Sequence, residues 1–273
     1  MSDKIHIEAN TVMETLVMPL YGRATCSKKF PDAFPDKVAE EIIDKIDYDF
    51  SKLHYADITT LSWAVRKYVF CRLARKYLKK HPNATIINLG CGADDSFPEV
   101  DNGRCRWINL DLPDIISARE KLFTLREREK NVAMSAFDTK WFDEIETSPE
   151  DGLFAICGGV LYYFDKAENK KLLTAMAQRF PKGGICFDAV NSMGMKKSND
   201  VVKKSGNSDS MLVFPIEDAE KELLPWSDRF ESVVNHKLPD VLLKSKRISW
   251  ITKLILKMGV KMKTMQLVEL SFR

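Results

Sequence analysis

A glycine pair and a carboxylate have the spacing of a nucleotide-type site. The apolar, β-branched run 84–89 ends in Gly90-Cys91-Gly92, and a tight turn after a buried strand lets a ligand approach backbone N–H groups closely. A second strand-like run ends at Asp111, 21 residues after Gly90, near the separation expected for an acid that hydrogen-bonds a ribose. The pair indicates a nucleoside-containing cofactor. The alternative for Asp111, ahead of Leu112-Pro113, is a helix N-cap.

The acidic residues after this turn distinguish between cofactors. Asp95 stands where a dinucleotide fingerprint has its third small residue, and a carboxylate there would repel a pyrophosphate. S-Adenosylmethionine contains no phosphate, and its sulfonium and ammonium groups are favourable neighbours for Asp94 and Asp95. The residues therefore favour S-adenosylmethionine over a nicotinamide cofactor.

The elements that must position these residues alternate between strands and helices. Helical patterns over 113–129 and 166–180 separate the apolar runs. Strand-like runs are found at 84–89, 106–110, 132–137, 152–157, 184–189, 229–236 and 266–272. The alternation predicts an α/β fold with a Rossmann-like, doubly wound, mostly parallel sheet. Cys157-Gly158-Gly159 then follows the fourth strand, at the sheet edge where such folds bind ligands.

About 80 mostly helical residues precede the first strand. A helix and an irregular connection are predicted within 10–34, and a long helix over 59–80. We expect residues 1–83 to form a helical lobe or lid of the same domain. Residues 84–273 are expected to form the Rossmann-like core, with an insertion at about 191–228.

Two segments near the C-terminus have patterns of their own. The polar stretch 196–210 predicts an exposed loop, either without function or a mobile lid beside the ligand crevice. The segment 247–261 is basic and amphipathic. Such a helix can bind a membrane surface, but we expect its apolar face to dock on the sheet, as surface helices usually do.

Composition excludes several other classes of protein. The 42 basic and 39 acidic residues nearly cancel, so neither charge nor motif indicates a nucleic-acid partner. The six cysteines are scattered without a C-x-x-C pair, which predicts neither a disulfide framework nor a metal site. The N-terminus lacks a signal-peptide pattern and no apolar run approaches 18 residues. We expect a cytoplasmic protein without a membrane partner.

Taken together, several segments resemble the leucine carboxyl methyltransferase family, including its polyketide O-methyltransferase branch. The resemblance spans most of the chain. The residues that carry it are Thr15-Leu16-Val17-Met18-Pro19-Leu20-Tyr21-Gly22-Arg23-Ala24, Arg66, Ile86-Ile87-Asn88-Leu89-Gly90-Cys91-Gly92-Ala93-Asp94, Asn109-Leu110-Asp111-Leu112-Pro113 and Gly159-Val160-Leu161-Tyr162-Tyr163.

The resemblance implies roles for individual residues. Arg66 would bind the methionyl carboxylate, for which Arg23 is a second candidate, and Asp111 would hold the ribose hydroxyls. A guanidinium suits the first role because it can donate two parallel hydrogen bonds to a carboxylate; the alternative is an ordinary surface arginine. The predicted cofactor-binding residues are Arg66, Gly90, Cys91, Gly92, Asp94, Asp111, Leu112, Asp138, Cys157, Gly158 and Tyr162.

Two positions match the family pattern less closely. Phe137-Asp138 resembles the family's adenine-proximal segment, although Asp138 is equally suited to cap a turn. Family members often have a glutamate where this chain has Gly158. This departure removes a charged contact near the cofactor.

The sequence thus predicts an S-adenosylmethionine-dependent O-methyltransferase that acts on a hydroxyl or carboxylate of a small molecule, polyketide-like or another metabolite. Catalysis by such an enzyme rests largely on holding donor carbon and acceptor oxygen in line. No catalytic residue is assigned; His236, at the end of a late strand, is a candidate base or an ordinary surface histidine. The alternatives are a nicotinamide-dependent oxidoreductase and a non-catalytic cofactor-binding module.

Overall fold

The strands and helices alternate through most of the chain. The computed structural model describes residues 4–7, 12–148, 150–205 and 211–273. The strands are β1 (Ile5–His6), β2 (Ile46–Asp47), β3 (Thr85–Leu89), β4 (Arg106–Asp111), β5 (Glu129–Ala133), β6 (Leu153–Cys157), β7 (Gly184–Ala189), β8 (Phe230–Asn235) and β9 (Gln266–Phe272). The α-helices are α1 (Val12–Lys29), α2 (Lys37–Ile43), α3 (Asp57–Leu78), α4 (Phe97–Val100), α5 (Pro113–Leu122), α6 (Lys166–Arg179), α7 (Ser192–Ser205), α8 (Ala219–Leu223), α9 (Asp240–Lys244) and α10 (Trp250–Lys261).

A seven-stranded sheet forms the centre of the protein. Its order is β5-β4-β3-β6-β7-β9-β8, and every neighbouring pair is parallel except the two that involve β9. This confirms the predicted Rossmann-like, mostly parallel α/β fold. The chain proceeds outward from β3 in one direction and from β6 in the other. A crevice therefore opens at the carboxyl ends of β3 and β6, where doubly wound sheets bind ligands.

Helices cover both faces of this sheet, which explains why β3 and β6 are buried along their whole length. Successive side chains of a strand point to opposite faces. Ile86 accordingly packs in one core with Leu73 of α3, whereas its neighbour Ile87 packs in another with Leu172 of α6. The continuous apolar runs of the sequence are the consequence of this two-sided burial.

Helix α3 runs antiparallel to β6. Near the end of α3, the Tyr77 ring stacks on Phe154 at the start of β6, with 5.2 Å between ring centroids. Arg66, three turns earlier, lies against Gly158 just beyond the strand's end. The first half of α3 therefore extends toward the carboxyl edge of the sheet and brings Arg66 to the crevice.

The N-terminal lobe packs on the core through α5. Leu16 and Leu20 of α1 share an apolar cluster with Ile42 of α2 and with Ile115 and Leu122 of α5. The predicted helix and connection within 10–34 are confirmed for the described residues, since α1 ends at Lys29 and α2 begins at Lys37.

The sequence misplaced the third core strand and its preceding helix. The helix predicted over 113–129 ends at Leu122, and the strand predicted over 132–137 is β5, which begins at Glu129. The physical reason is that β5 is the edge strand of the sheet. Only Val132 among its five residues is buried, so its sequence lacks the apolar run by which the inner strands were found.

The prediction of an exposed loop at 196–210 is wrong for residues 196–205, which belong to α7; residues 206–210 lie outside the described part of the chain. The Asn191 carboxamide oxygen accepts a hydrogen bond of 2.9 Å from the Gly194 N–H, the geometry of an N-cap. The Lys, Ser and Asn content that suggested a loop is that of a solvent-exposed helix.

Segment 247–261 contains the predicted helix, α10, but its apolar face does not dock on the sheet. Leu256 is the residue of α10 that is buried, whereas Ile251, Leu254, Ile255 and Met258 are exposed. Among the described helices, none has both the length and the apolar character needed to cross a bilayer.

Candidate cofactor site

The turn after β3 depends on its glycines. Gly90 and Gly92 have φ values of 64° and 48°, in the left-handed region that glycine adopts without strain. A Cβ at Gly90 would lie 2.3 Å from Cγ2 of Val160, whereas a Cβ at Gly92 would meet no atom within 4 Å. Gly90 is therefore required by packing, and Gly92 leaves open space at the crevice.

Asp111, the last residue of β4, is bound to this turn. Its Oδ2 accepts a hydrogen bond of 2.8 Å from the Gly92 N–H, and its Oδ1 accepts one of 2.8 Å from the Leu112 N–H. Each carboxylate oxygen keeps a second lone pair. Burial raises the pKa of Asp111 above its ordinary value. The N-cap alternative is wrong, because the N-cap of α5 is Leu112 and has no side-chain cap hydrogen bond.

Arg66 lies across the glycines that follow β6. Its Nη1 donates a hydrogen bond of 2.8 Å to Oδ2 of Asp188, and its side chain is 15% exposed. A Cβ on Gly159 would lie 3.0 Å from Nη1, and a Cβ on Gly158 would lie 3.2 Å from Nε. The surface-arginine alternative is therefore wrong, and the small residues after β6 make room for the guanidinium.

Asp188, near the end of β7, is the site residue that the sequence analysis missed. Besides Arg66, it binds the Gly159 N–H, which donates to its Oδ1 at 2.7 Å. One carboxylate thus fixes both the arginine and the turn after β6. It supplies, from the neighbouring strand, a negative charge beside Gly158, the position where the resemblance led us to expect a glutamate. The available signal was an acid near the end of the apolar strand 184–189.

Tyr162 packs beside this ion pair. Its hydroxyl forms a hydrogen bond with Arg66. Burial, and then the negative charge of Asp188, raise the pKa of Tyr162 well above its ordinary value. Burial and Asp188 also raise the pKa of Tyr163. Both phenols are therefore neutral near pH 7.

Asp94 is neutralised by the protein itself. Its Oδ1 accepts a hydrogen bond of 2.7 Å from Nη1 of Arg23, and its Oδ2 accepts one of 3.0 Å from the Asn88 carboxamide. Burial acts to raise the pKa of Asp94, but the charges of Arg23 and Lys67 hold it below its ordinary value. Its charge serves to fix the turn, which is not the predicted role beside a cofactor cation.

Arg23 belongs to the same network of charges. Its Nη2 donates to the Ala93 carbonyl at 3.2 Å, and its Nε lies 3.2 Å from Oδ2 of Asp36. These contacts tie α1 to the loop after β3. Arg23 is therefore a structural residue, and Arg66 is the arginine at the crevice.

Asp95 does not face the crevice either. It is 4% exposed and accepts two hydrogen bonds from Arg126, of 2.9 and 2.8 Å. Because this bidentate pair balances its charge, Asp95 would not repel a pyrophosphate, and that expectation is wrong. The choice of cofactor must rest on other observations.

A buried arginine, also missed from the sequence, holds the backbone of the turn. Arg119 of α5 is 1% exposed, and its Nη1 donates to the carbonyls of Gly92 at 3.0 Å and Asp94 at 2.5 Å. Its signal was a single arginine among the apolar positions of the helix. Leu112, by contrast, is 43% exposed and presents an apolar surface beside Asp111.

The remaining predicted residues have more ordinary environments. The Asp138 carboxylate accepts a hydrogen bond of 3.1 Å from the Lys140 N–H and so caps a short 3₁₀ helix, as the alternative interpretation expected. Cys91 and Cys157 are buried, and burial raises the pKa of Cys91 to about 12. Nε2 of His236 lies 2.8 Å from Oε2 of Glu269, and this contact holds the imidazole against β9.

No metal centre is present among the residues that the structure describes, where no cluster of three or more His, Cys, Asp or Glu side chains could hold an ion.

Comparison with known proteins shows which proteins the chain is similar to. No family model matches the chain. It is 29% identical over 187 residues, 67% of this chain and 68% of the other, to the tetracenomycin polyketide synthesis O-methyltransferase TcmP of Streptomyces glaucescens. The chain is thus similar to polyketide O-methyltransferases. The nicotinamide-dependent oxidoreductase and the non-catalytic module are not favoured.

Solved structures agree with the fold of this protein. A putative methyltransferase from Thermobifida fusca superposes with a TM-score of 0.57 at 11% identity, over 87% of each chain. An O-methyltransferase family protein from Burkholderia thailandensis gives a TM-score of 0.50 at 13% identity, over 80% of this chain. The match spans 59% of the length of the Burkholderia protein.

Proposed function

We propose that this methyltransferase transfers the methyl group of S-adenosylmethionine to a hydroxyl or carboxylate oxygen of a small, polyketide-like molecule or related metabolite. The observation that carries the cofactor assignment is the pairing of Asp111 with the Gly92 N–H, at 2.8 Å. It places a carboxylate with unused lone pairs beside a glycine that has open space around it. This is the arrangement that a ribose needs at the switch point of the sheet.

The other residues at the crevice suit the rest of the cofactor. Arg66 has five N–H donors, and Nη1 is the one bound to Asp188, so further donors are available to a methionyl carboxylate. Leu112 offers an exposed apolar side chain to the adenine. Asp138 retains lone pairs that can accept a hydrogen bond from the adenine amine. The proposed site thus extends along the ends of β3, β4 and β6.

When bound, the cofactor's sulfonium supplies an activated methyl group. The residues of this chain hold the two reactants in line and keep water away, and such positioning can account for much of the rate. Tyr162 and Tyr163 do not act as bases near neutral pH, because their raised pKa values keep both hydroxyls protonated. An acceptor that is already ionised, such as a carboxylate or an acidic phenol, fits this site best.

A cavity in the N-terminal lobe is suited to the acceptor. It has a volume of about 430 Å³ and is lined by Tyr21, Thr25, Leu53, His54, Tyr55, Ala56 and Thr60, within the size range of small-molecule sites. It lies at the start of α3, the end of the helix that reaches the crevice edge. Its aromatic and hydroxyl groups suit a planar, oxygenated ring system.

Calorimetry tests the cofactor assignment. The protein is titrated with S-adenosylmethionine, with S-adenosylhomocysteine and with NAD, and we expect heat from the first two alone. A metabolite extract is then incubated with the protein and cofactor carrying a radiolabelled methyl group, and labelled product should appear. Tight NAD binding without any response to the sulfur compounds would overturn the proposal.

We also place the protein in the cytoplasm, which its six buried, unpaired cysteines support.

A further inference from the structure

Helix α10 presents an apolar face to solvent. Trp250 is 72% exposed, Ile251 52%, Leu254 46%, Ile255 47% and Met258 49%. With 3.6 residues per turn, these five side chains lie within an arc of about 140° on the helix surface. We call them the α10 apolar face. Such a contiguous apolar patch on a folded protein marks an interaction site.

The orientation of α10 is fixed by its other side. Leu256 and the preceding Ile248 are buried in the core that also contains α3. The Lys253 amino group donates to the Ser245 carbonyl at 2.5 Å, and Ser249 caps the helix by accepting from the Thr252 N–H. The helix cannot roll to bury its apolar face without losing these contacts.

The surroundings of the α10 apolar face are positively charged. Residues 241–268 contain seven Lys or Arg residues and no Asp or Glu. Lys257 and Lys261, one turn apart along one flank of the face, are exposed, as is Lys246 ahead of the helix. Arg247 is also exposed, and its Nε lies 3.9 Å from Oδ1 of Asp32. A partner must therefore combine an apolar interior with a negatively charged surface.

We propose that α10 binds the surface of an anionic phospholipid bilayer, with its apolar face among the acyl chains and its lysines at the headgroups. A basic polar flank, an apolar face and a tryptophan are the features of helices that lie in the interface plane. A second copy of the chain is a poorer partner, because two such faces would bring two lysine rows together. The lysines match an anionic surface, and each contributes to membrane attraction at low salt.

Vesicle co-sedimentation of the full chain tests this. We expect binding to vesicles of phosphatidylcholine mixed with phosphatidylglycerol, weaker binding in high salt, and little binding to phosphatidylcholine alone. The double variant Lys257→Glu/Lys261→Glu should bind the mixed vesicles roughly tenfold or more weakly. The matched control Lys170→Glu/Lys171→Glu makes the same charge change on exposed positions of α6 and should bind like the unchanged protein.

Two further variants separate insertion from charge attraction. Leu254→Ser/Ile255→Ser should also lose binding, although the net charge is unchanged. Tryptophan emission should shift to the blue on mixed vesicles, and this shift should disappear in Trp250→Phe. All these positions are exposed, so each variant should keep its melting temperature. Equal loss in the α6 control, no binding to mixed vesicles, or a solution dimer broken by Leu254→Ser/Ile255→Ser would overturn the proposal.

Discussion

Asp111 is expected to be the position to which cofactor affinity is most sensitive. Hydrogen bonds to a charged group contribute about 1.5 to 3 kcal/mol each, so Asp111→Ala should weaken S-adenosylhomocysteine binding by roughly tenfold to several hundredfold. Asp111→Asn keeps an acceptor for the Gly92 N–H and should lose less. Calorimetry and thermal denaturation of both variants provide the measurement. Unchanged affinity in a folded Asp111→Ala protein would remove this residue from the site.

The same residue gives the site a pH dependence. Burial raises the pKa of Asp111, and only the ionised carboxylate accepts hydrogen bonds with both oxygens. S-Adenosylhomocysteine affinity should therefore fall as the pH drops through this raised value, at a higher pH than for an ordinary aspartate. In Asp111→Asn this step should be absent. A titration that gives the same acid profile for both proteins would contradict the assignment.

Asp188 is expected to act as a positioning residue through Arg66. Breaking a buried ion pair by removing one partner costs about 3 to 5 kcal/mol, so Asp188→Ala should lower the melting temperature by several degrees and weaken cofactor binding. Asp188→Asn keeps the acceptor for Gly159 and should be milder. The decisive variant adds Gly158→Glu to Asp188→Ala. The Arg66 side chain must shift slightly to admit the new Cβ, which would lie 3.2 Å from Nε, and the returned carboxylate should restore part of the affinity. Without any recovery, the proposed exchange of the two acids fails.

Helix α7 depends on Asn191, the N-cap residue that precedes it. Asn191 accepts from the Gly194 N–H and donates to the Met262 carbonyl at 2.8 Å. Asn191→Ala should destabilise the helix by about 1 kcal/mol and make trypsin cut sooner at Lys196 or Lys197. Limited proteolysis with mass spectrometry reads this directly. Cleavage at an unchanged rate would show that α7 is held by other contacts.

Some elements of this structure could be predicted from the sequence, and others could not. The inner strands and the turn at Gly90 were predictable, because a buried strand and a glycine turn are local patterns. Asp188 and Arg66 are separated by 122 residues, so no local pattern joins them. The amphipathic pattern of α10 was equally clear, but it does not say whether the apolar face meets the sheet or the solvent.

Buried charged side chains join the N-terminal lobe to the core of the molecule. Burial acts to raise the pKa values of Asp36 and Asp94, but Arg23 and Lys67 hold both below the ordinary 3.8. The stabilisation that ionised Asp36 and Asp94 give the folded protein is therefore present above pH 3.8, and it is lost as the pH falls below that value. Urea unfolding should show this loss in the free energy of unfolding, and Asp94→Asn should flatten it. An equally steep fall in Asp94→Asn would exclude this network as its source.

The position of Asp188 also bears on how such a site can change during evolution. Gly158 follows β6, and Asp188 lies near the end of β7, the neighbouring strand of the sheet. We therefore expect an acid at either position to reach the same guanidinium. A protein with an acid at both positions would keep a partner for Arg66 after losing either acid. The position of the acid can therefore change from one strand to the other without a step in which Arg66 lacks a partner. A signature defined by the glutamate alone would then discard descendants that keep the chemistry. A sequence signature for this site should therefore accept an acid at either of the two positions.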